Sequence, residues 1–221
     1  MSDLDVVIIG GGASGFFCAC ELLVQNKNLN VSIWEKTSKT LGKVRVSGGG
    51  RCNVTHDIRE VRNLVSKYPR GSKYLRAKFN NFGVQQTIDW FYERGVQLKT
   101  ERDFRMFPIT DSSETVAKCL ENTFYHLGGN TAFNTSLDKA HFHEGQWILE
   151  STTGKKITAK HLVLAIGGLT LSKVNWLKAQ FSVSQTQQLL IQPFFAPFEL
   201  VQLPLMPLSF HFRRIPRVPL S

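Results

Sequence analysis

Four apolar residues in succession, Val6, Val7, Ile8 and Ile9, open the ordered pattern of the chain just after Asp5. A short run without a polar break predicts a strand buried on both faces. Glycines follow at once. Residues 14–24 then set Phe17, Ala19, Cys20, Leu22 and Leu23 toward one side, as in a helix with a buried face. Residues 26–30 form a polar turn, and Val31–Trp34 is a second strand ending at Glu35. The order is β-α-β. From residue 57 to about 127 the pattern is mostly helical. Residues 84–93 carry Ile88, Phe91 and Tyr92 at helical spacing, closed by Gly95. Residues 111–127 carry Val116, Cys119, Leu120 and Phe124, with Ser112 or Ser113 placed to cap them. Strand character returns at 146–150 and 157–166, around a hairpin turn at Thr153, Gly154 and Lys155. The predicted class is α/β, with a helical segment and a β-hairpin.

The 221 residues suit one domain, or one domain and part of another, and the apolar fraction of 42% supports a packed core. Twenty-seven basic and 17 acidic residues give a net charge of +10. That balance favours anionic partners without choosing among phosphates, nucleic acid and anionic lipid, and a basic solvated surface accounts for it equally well. Cys18, Cys20, Cys52 and Cys119 form no C-x-x-C pair and follow no secretory signal, so a reduced, cytoplasmic protein is expected. No stretch reaches the roughly 20 apolar residues of a membrane helix. The nearest, 189–212, is broken by four prolines, Gln192, Glu199 and Gln202. All 17 glycines lie at or before Gly168, six of the eight prolines lie from Pro193 onward, and Glu199 is the last acid. The chain therefore divides into residues 1–168 and a divergent tail, 169–221.

Gly10, Gly12 and Gly15 fit G-x-G-x-x-G. The first permits a tight turn, the second lets a pyrophosphate approach the backbone, and the third lets helix and strand pack closely. The helix start, at Ser14, offers free N–H groups and a positive dipole end. The motif alone is weak, but here a strand precedes it and a helix follows. Glu35 stands twenty residues after Gly15, where an acid would accept hydrogen bonds from a ribose. Lys36 joins it as a candidate position. The motif does not separate FAD from NAD. In the second loop, Ser47 to Asn53, three glycines expose backbone N–H groups. Arg51 adds a planar donor fork, and Asn53 can donate and accept. On composition alone a flexible surface loop is the competing reading. Lys43 and Arg45 keep the neighbourhood basic. Cys52 has an arginine beside it, which favours thiolate, but no partner cysteine, which favours a packed thiol. Cys18 and Cys20 point to different helix faces. His141 and His143 would share a face if extended, yet lack the further ligands of a zinc site.

The run from Ile8 to Gly15, and above all Lys43 to His56 with its S-G-G-G-R-C-N core, resembles the bacterial NAD(P)/FAD-dependent oxidoreductases of the YhiN/BaiN type, also labelled aminoacetone oxidase family FAD-binding enzymes. Further similar blocks are Tyr68-Pro69-Arg70-Gly71, Thr87 to Phe91, Arg105 to Pro108, Thr110 to Ser113 and Leu162 to Gly168, so the resemblance covers about residues 1–178. It implies a Rossmann-like FAD-binding domain. Gly10, Gly12, Ser14 and Gly15 would meet the pyrophosphate and Glu35 the adenosine ribose. Gly49, Gly50, Arg51, Cys52 and Asn53 would lie toward the flavin, and Gly167 and Gly168 would approach from the second strand end. The resemblance also implies NAD(P)H as co-substrate and a small-molecule substrate, with no nucleic-acid or membrane partner. Flavin carries the redox chemistry, so no catalytic residue is assigned. Nucleic-acid binding would rest only on charge. Of the +10, +6 lies in residues 1–168 (22 basic, 16 acidic), which a phosphate-binding enzyme explains equally.

Two departures from the family pattern stand out. The family reads Asp-Gly-Arg where this chain has Asp103-Phe104-Arg105, which removes a turn glycine. Family members are also longer, with a substrate domain and a returning segment that completes the FAD site. The tail from about Phe181 does not resemble theirs. A truncated or frameshifted reading frame is the expectation, with a cofactor-binding remnant lacking turnover as the alternative to an active enzyme.

Overall fold

The structure, a computed structural model, describes residues 4–68, 71–168 and 189–191. Strand β1 (Leu4–Ile9), helix α1 (Ala13–Gln25) and strand β2 (Val31–Trp34) form the expected unit, with β2 parallel to β1. A long excursion follows: α2 (Gly42–Val46), β3 (Thr55–His56), α3 (Val61–Val65), α4 (Ser72–Asn81), α5 (Val84–Tyr92), β4 (Leu98–Thr100) and β5 (Arg105–Pro108). The chain then returns through α6 (Ser113–His126) to β6 (Asn130–Ala132), which lies parallel to β2. Strands β7 (Leu137–His143), β8 (Gln146–Ser151) and β9 (Lys156–Leu164) form an antiparallel meander. Strand β9 ends parallel to β1, so the main sheet runs β6-β2-β1-β9-β8-β7. Strand β10 (Leu189–Ile191) pairs in parallel with the end of β9. It comes from the segment that composition sets apart. The rest of 169–221 lies outside the described residues, and the expectations for the tail lie there with it.

Period-two alternation divides the sheet between two cores. Val6 and Ile8 of β1 and Val163 of β9 face α1 and α6. Val7, Ile9, Leu162 and Leu164 face the opposite side with Trp147 and Leu149. Both faces are covered, which accounts for the unbroken apolar run of β1. Phe16 of α1 packs edge-on against Phe124 of α6, ring centroids 5.4 Å apart. On α1 the fully buried ring is Phe16. Phe17 and Leu22 are partly buried at the margin of the same core. On α5 the buried side is Val84, Thr87, Trp90 and Phe91, while Tyr92, expected inside, is exposed because it ends the helix. Ser112 is the cap of α6, accepting from Glu114 N at 3.3 Å. Ser113 is buried and donates to the Arg45 carbonyl at 2.7 Å.

The helical expectation for 57–127 needs correction. It misses a three-stranded antiparallel sheet, β3-β5-β4. These strands are two to four residues long, too short to show alternation. Between β4 and β5, Phe104 N donates to the Glu101 carbonyl at 2.9 Å, and Phe104 itself sits at φ 65°. A turn followed by one left-handed residue closes the hairpin, and that last position favours glycine. The turn that the family builds with glycine is therefore kept here around phenylalanine. Left-handed backbone costs a side-chain-bearing residue about 1–2 kcal/mol, and the 57% exposed ring recovers little of that by packing. Phe104→Gly should raise stability by about 0.5–1 kcal/mol once the added chain entropy of glycine is offset. An unchanged or lowered urea midpoint would contradict the strain.

Candidate functional site

The C-terminal ends of β1, β2 and β9 converge on the first glycine loop. Gly10 N donates to the Trp34 carbonyl and Ala165 N to the Ile9 carbonyl, both at 2.8 Å. Gly10 adopts φ 114°, and a Cβ there would run into the Ala165 carbonyl. A Cβ on Gly15 would run into the Gly10 carbonyl oxygen. These two glycines are required by the protein's own packing.

Gly12 is different. Its backbone is extended (φ −93°, ψ −177°), a conformation open to any residue, and a Cβ there would meet nothing within 4 Å. Gly12 is the N-cap of α1, and no side chain caps this end of the helix. The first-turn N–H groups around Ser14 have no partner within the helix by construction. Neither backbone strain nor internal packing explains a glycine at 12.

Glu35 braces the loop from the side. One carboxylate oxygen accepts from Gly11 N at 2.9 Å, and the other accepts from Thr37 N (2.9 Å) and Thr37 Oγ (2.8 Å). The motif reading missed Gly11 and Thr37. A threonine two residues after the acid is the signal that could have found the second, because such hydroxyls bond locally in turns. Lys36 is exposed beside Glu35. Leu41 N donates to the Gly11 carbonyl at 2.8 Å, which brings the start of α2 against the same loop. Lys43, on α2, is exposed, and its Nζ stands 2.9 Å from where a Cβ on Gly167 (φ 75°) would be. Gly10, Gly11, Glu35, Lys43 and Gly167 thus gather at one edge of the sheet, with Gly168 next in the chain.

Arg45 does not add free charge there. Its guanidinium donates to Glu114 (2.9 Å) and Glu121 (3.2 Å), so it ties α2 to α6. The expectation of a basic neighbourhood holds for Lys43 and fails for Arg45, whose partners lie some 70 residues away in sequence.

The second loop is a folded turn. Gly48, Gly49 and Gly50 all have positive φ, and Cys52 follows at φ 61°. A Cβ on Gly48 would approach Asn53 N at 2.8 Å and the Phe107 ring at 3.0 Å, whereas Gly49 and Gly50 face open space. Cys52 N donates to the Ser47 carbonyl at 3.0 Å. Asn53 is drawn inward: with the amide assigned so that its nitrogen faces two acceptors, it donates to the carbonyls of Thr55 (2.9 Å) and Met106 (3.3 Å). Arg51 bonds Glu101 at 2.5 Å, lies 3.5 Å from Asp111, and stacks 4.0 Å from the Phe107 ring centroid. Its fork is held by carboxylates that the sequence reading did not name. Cys52 is buried, and burial pushes its thiol up despite the Ser47 contact that pulls the other way. The packed-thiol reading fits that geometry.

The class these features define is the Rossmann fold: parallel strands in the order β6-β2-β1-β9, with a glycine turn from β1 into α1. The chain belongs to the family described as HI0933-like protein Rossmann domain, which matches residues 4–194. Among curated proteins it is 24% identical over 161 residues to a 3-dehydro-bile acid delta(4,6)-reductase of Clostridium scindens, covering 73% of this chain and 38% of that protein. It is 28% identical over 174 residues to a ribosomal RNA dihydrouridine synthase of Escherichia coli, covering 77% and 41%. The chain therefore spans about two-fifths of the length of these relatives. Among solved structures, Thermovibrio ammonificans THI4 superimposes with a TM-score of 0.54 at 16% identity, covering 80% of this chain and 62% of the other. A 3-ketosteroid-delta4-(5alpha)-dehydrogenase from Rhodococcus jostii gives 0.55 at 15%, covering 75% and 46%. These two likenesses establish the fold.

Gly15→Ala should destabilise by about 1–3 kcal/mol or more, since backbone rather than a yielding side chain stands in the way; equal urea midpoints for the variant and the parent would refute the packing role. The thiols give a pH prediction. Burial raises all four, Cys18 to about 12 and Cys119 to about 11. A raised folded value means that the folded chain keeps protons the unfolded chain gives up. Their contribution is complete below the unfolded thiol value of roughly 8.5 and is lost as pH climbs toward the folded values. Stability should fall from about pH 8.5 upward, and a disulfide reagent at neutral pH should find four reactive thiols only after denaturation.

Proposed function

We propose that this chain is the cofactor-holding part of an FAD-dependent oxidoreductase, with NAD(P)H as the electron source. The observation that carries the reading is Gly12: unstrained, uncrowded and at an uncapped helix start, it leaves room and N–H donors where a pyrophosphate needs both. Gly10, Gly12, Ser14 and Gly15 would hold the pyrophosphate. Glu35, already oriented by Gly11 and Thr37, would accept from the adenosine ribose, with Lys36 beside it. Lys43, Gly167 and Gly168 would flank the phosphates and the isoalloxazine end. Gly49 and Gly50 would offer backbone N–H groups toward the flavin, on a turn that Arg51, Cys52 and Asn53 hold in shape. Arg51 would act through that shape, since Glu101 holds its guanidinium, and the Asn53 amide nitrogen is turned toward backbone carbonyls.

FAD, when bound, supplies hydride-transfer chemistry that no side chain offers. Among the described residues no helix is long and apolar enough to cross a membrane. The names of the relatives, a bile-acid reductase and a ribosomal RNA dihydrouridine synthase, support reduction as the reaction type and leave the substrate open. We propose residues 1–168 as the bulk of the cofactor domain, which β10 in the main sheet and the family match to residue 194 carry past that boundary.

Gly12→Asp tests the reading. Aspartate is a favoured N-cap, so stability should hold or rise by up to about 1 kcal/mol, while bulk and negative charge oppose a pyrophosphate. The parent chain, incubated with FAD and desalted, should keep the visible flavin spectrum, and the variant should lose it. A parent that retains no flavin while folded would sink the proposal, as would a variant that binds equally well.

A further inference from the structure

Strand β6 is an edge of the main sheet, and the residue that follows it is Phe133. Its ring is 42% exposed and, among the described residues, belongs to neither core of the sheet. Leaving such a ring in water forgoes most of what an aromatic side chain contributes by burial. Exposure alone would need no explanation, since isolated apolar residues are common on surfaces. The placement singles Phe133 out.

Glu35 lies alongside it. The rungs between β2 and β6 run Ser32–Asn130, Ile33–Thr131 and Trp34–Ala132, and one position further Glu35 comes beside Phe133. Glu35 N donates to the Ala132 carbonyl at 3.0 Å, and the Glu35 carbonyl accepts from Thr135 N at 2.9 Å. The backbone of the acid is thus bonded on both flanks of Phe133. Asn134 N donates to the Thr37 carbonyl at 3.2 Å, and Thr135 Oγ donates to the Phe133 carbonyl at 2.9 Å. Asn134 holds left-handed backbone, φ 51°, to make this turn. Strain of that kind persists where the surroundings over-determine it, and it collects at ligand clamps. These bonds fix Phe133 against the same segment whose carboxylate is held by Gly11 N and Thr37.

Three neighbouring strand ends, β1, β2 and β6, therefore carry the glycine loop, Glu35 and Phe133 in that order. Adjacent strands are about 4.8 Å apart, so roughly 10 Å separates the loop from Phe133. Phosphate, ribose and base, joined in line, would meet N–H donors, a carboxylate acceptor and a flat apolar surface in the same order. Every base has a π face, so such a ring supplies affinity rather than base readout.

We propose that Phe133 is the stacking platform for the base of an adenine nucleotide and gives the chain affinity for ADP-bearing ligands as a class. The inference rests on the reading of the glycine loop as a pyrophosphate site, and it deepens that reading at the end farthest from the flavin. The other use of an exposed ring at a sheet edge, contact with a second protein, predicts no response to nucleotide.

The test is calorimetric titration of the full chain with ADP, which carries no flavin, beside fluorescence titration with FAD. Phe133→Leu keeps apolar bulk and removes the π face, whereas Phe133→Trp keeps the face. The leucine variant should bind both ligands about five- to tenfold more weakly. The tryptophan variant should bind them at least as well as the parent. Both should keep the parent's urea midpoint, because Phe133 belongs to neither core. Tyr92→Leu, which removes a more exposed ring on α5, should leave both affinities unchanged. Three outcomes would overturn the proposal: parental affinity for ADP in the leucine variant, an equal loss in the tryptophan variant, or an equal loss in Tyr92→Leu. The two readings fail separately. A parent that binds ADP and keeps no FAD would sink the flavin reading, while the ADP affinities of the variants decide for Phe133. A parent that keeps FAD, with the leucine variant unchanged, would sink the platform and leave the flavin reading standing. A parent that binds neither would overturn both.

Discussion

The carbonyl oxygens of Gly10 and Ala165 stand where side chains on Gly15 and Gly10 would have to go. That close approach of three backbone segments fixes the rest. It lets α1 lie against β1, so that Phe16 reaches Phe124 and the α1–α6 layer closes over one face of the sheet. It also sets β9 beside β1 in register, Ile9 opposite Leu164, which carries the meander and the second core with it. The same contact aims the start of α1 past the ends of the strands. The stability of the domain and the position of its glycine-loop edge thus have one origin. A methyl group at Gly15 would disturb both at once, whereas a side chain at Gly12 would disturb only what lies outside the protein.

The elements legible in the sequence are those whose pattern is local. The run of β1, the periodicity of α1 and α6, and the hairpin at Gly154 each declare themselves within a dozen residues. The β3-β5-β4 sheet does not, since its strands are too short to alternate and its pairing spans some fifty residues. The same limit applies to the site. Gly10, Gly12 and Gly15 are visible as a motif, but only coordinates separate the two that packing demands from the one it does not. Arg45 and Arg51 read as free cations until Glu114, Glu121 and Glu101 are placed beside them. Phe104 shows the converse case, in which a residue change that looks disruptive leaves the turn intact and is absorbed as backbone strain.

Charge placement gives the chain a division of labour. At the sheet edge, cations serve geometry: Arg45 fastens α2 to α6, and Arg51 fastens the triple-glycine turn to Glu101 and Phe107. Lys43, unlike Arg45, has no carboxylate partner among the described residues and stands at the Gly167 edge. The pairing of the arginines matters because the glycine turns contribute no side chains of their own. With three consecutive positive-φ residues, the loop would sample many shapes if its neighbours did not hold it. On α4 the order is reversed. Helix α4 buries no residue, and its cations Lys73, Arg76 and Lys78 face no carboxylate within 4 Å among the described residues. Unpaired positive charge costs local stability through repulsion. Residues 61–88 hold six cations and no acid, which is all of the net charge of the first 168 residues. A charge spread over the whole surface would repel itself less.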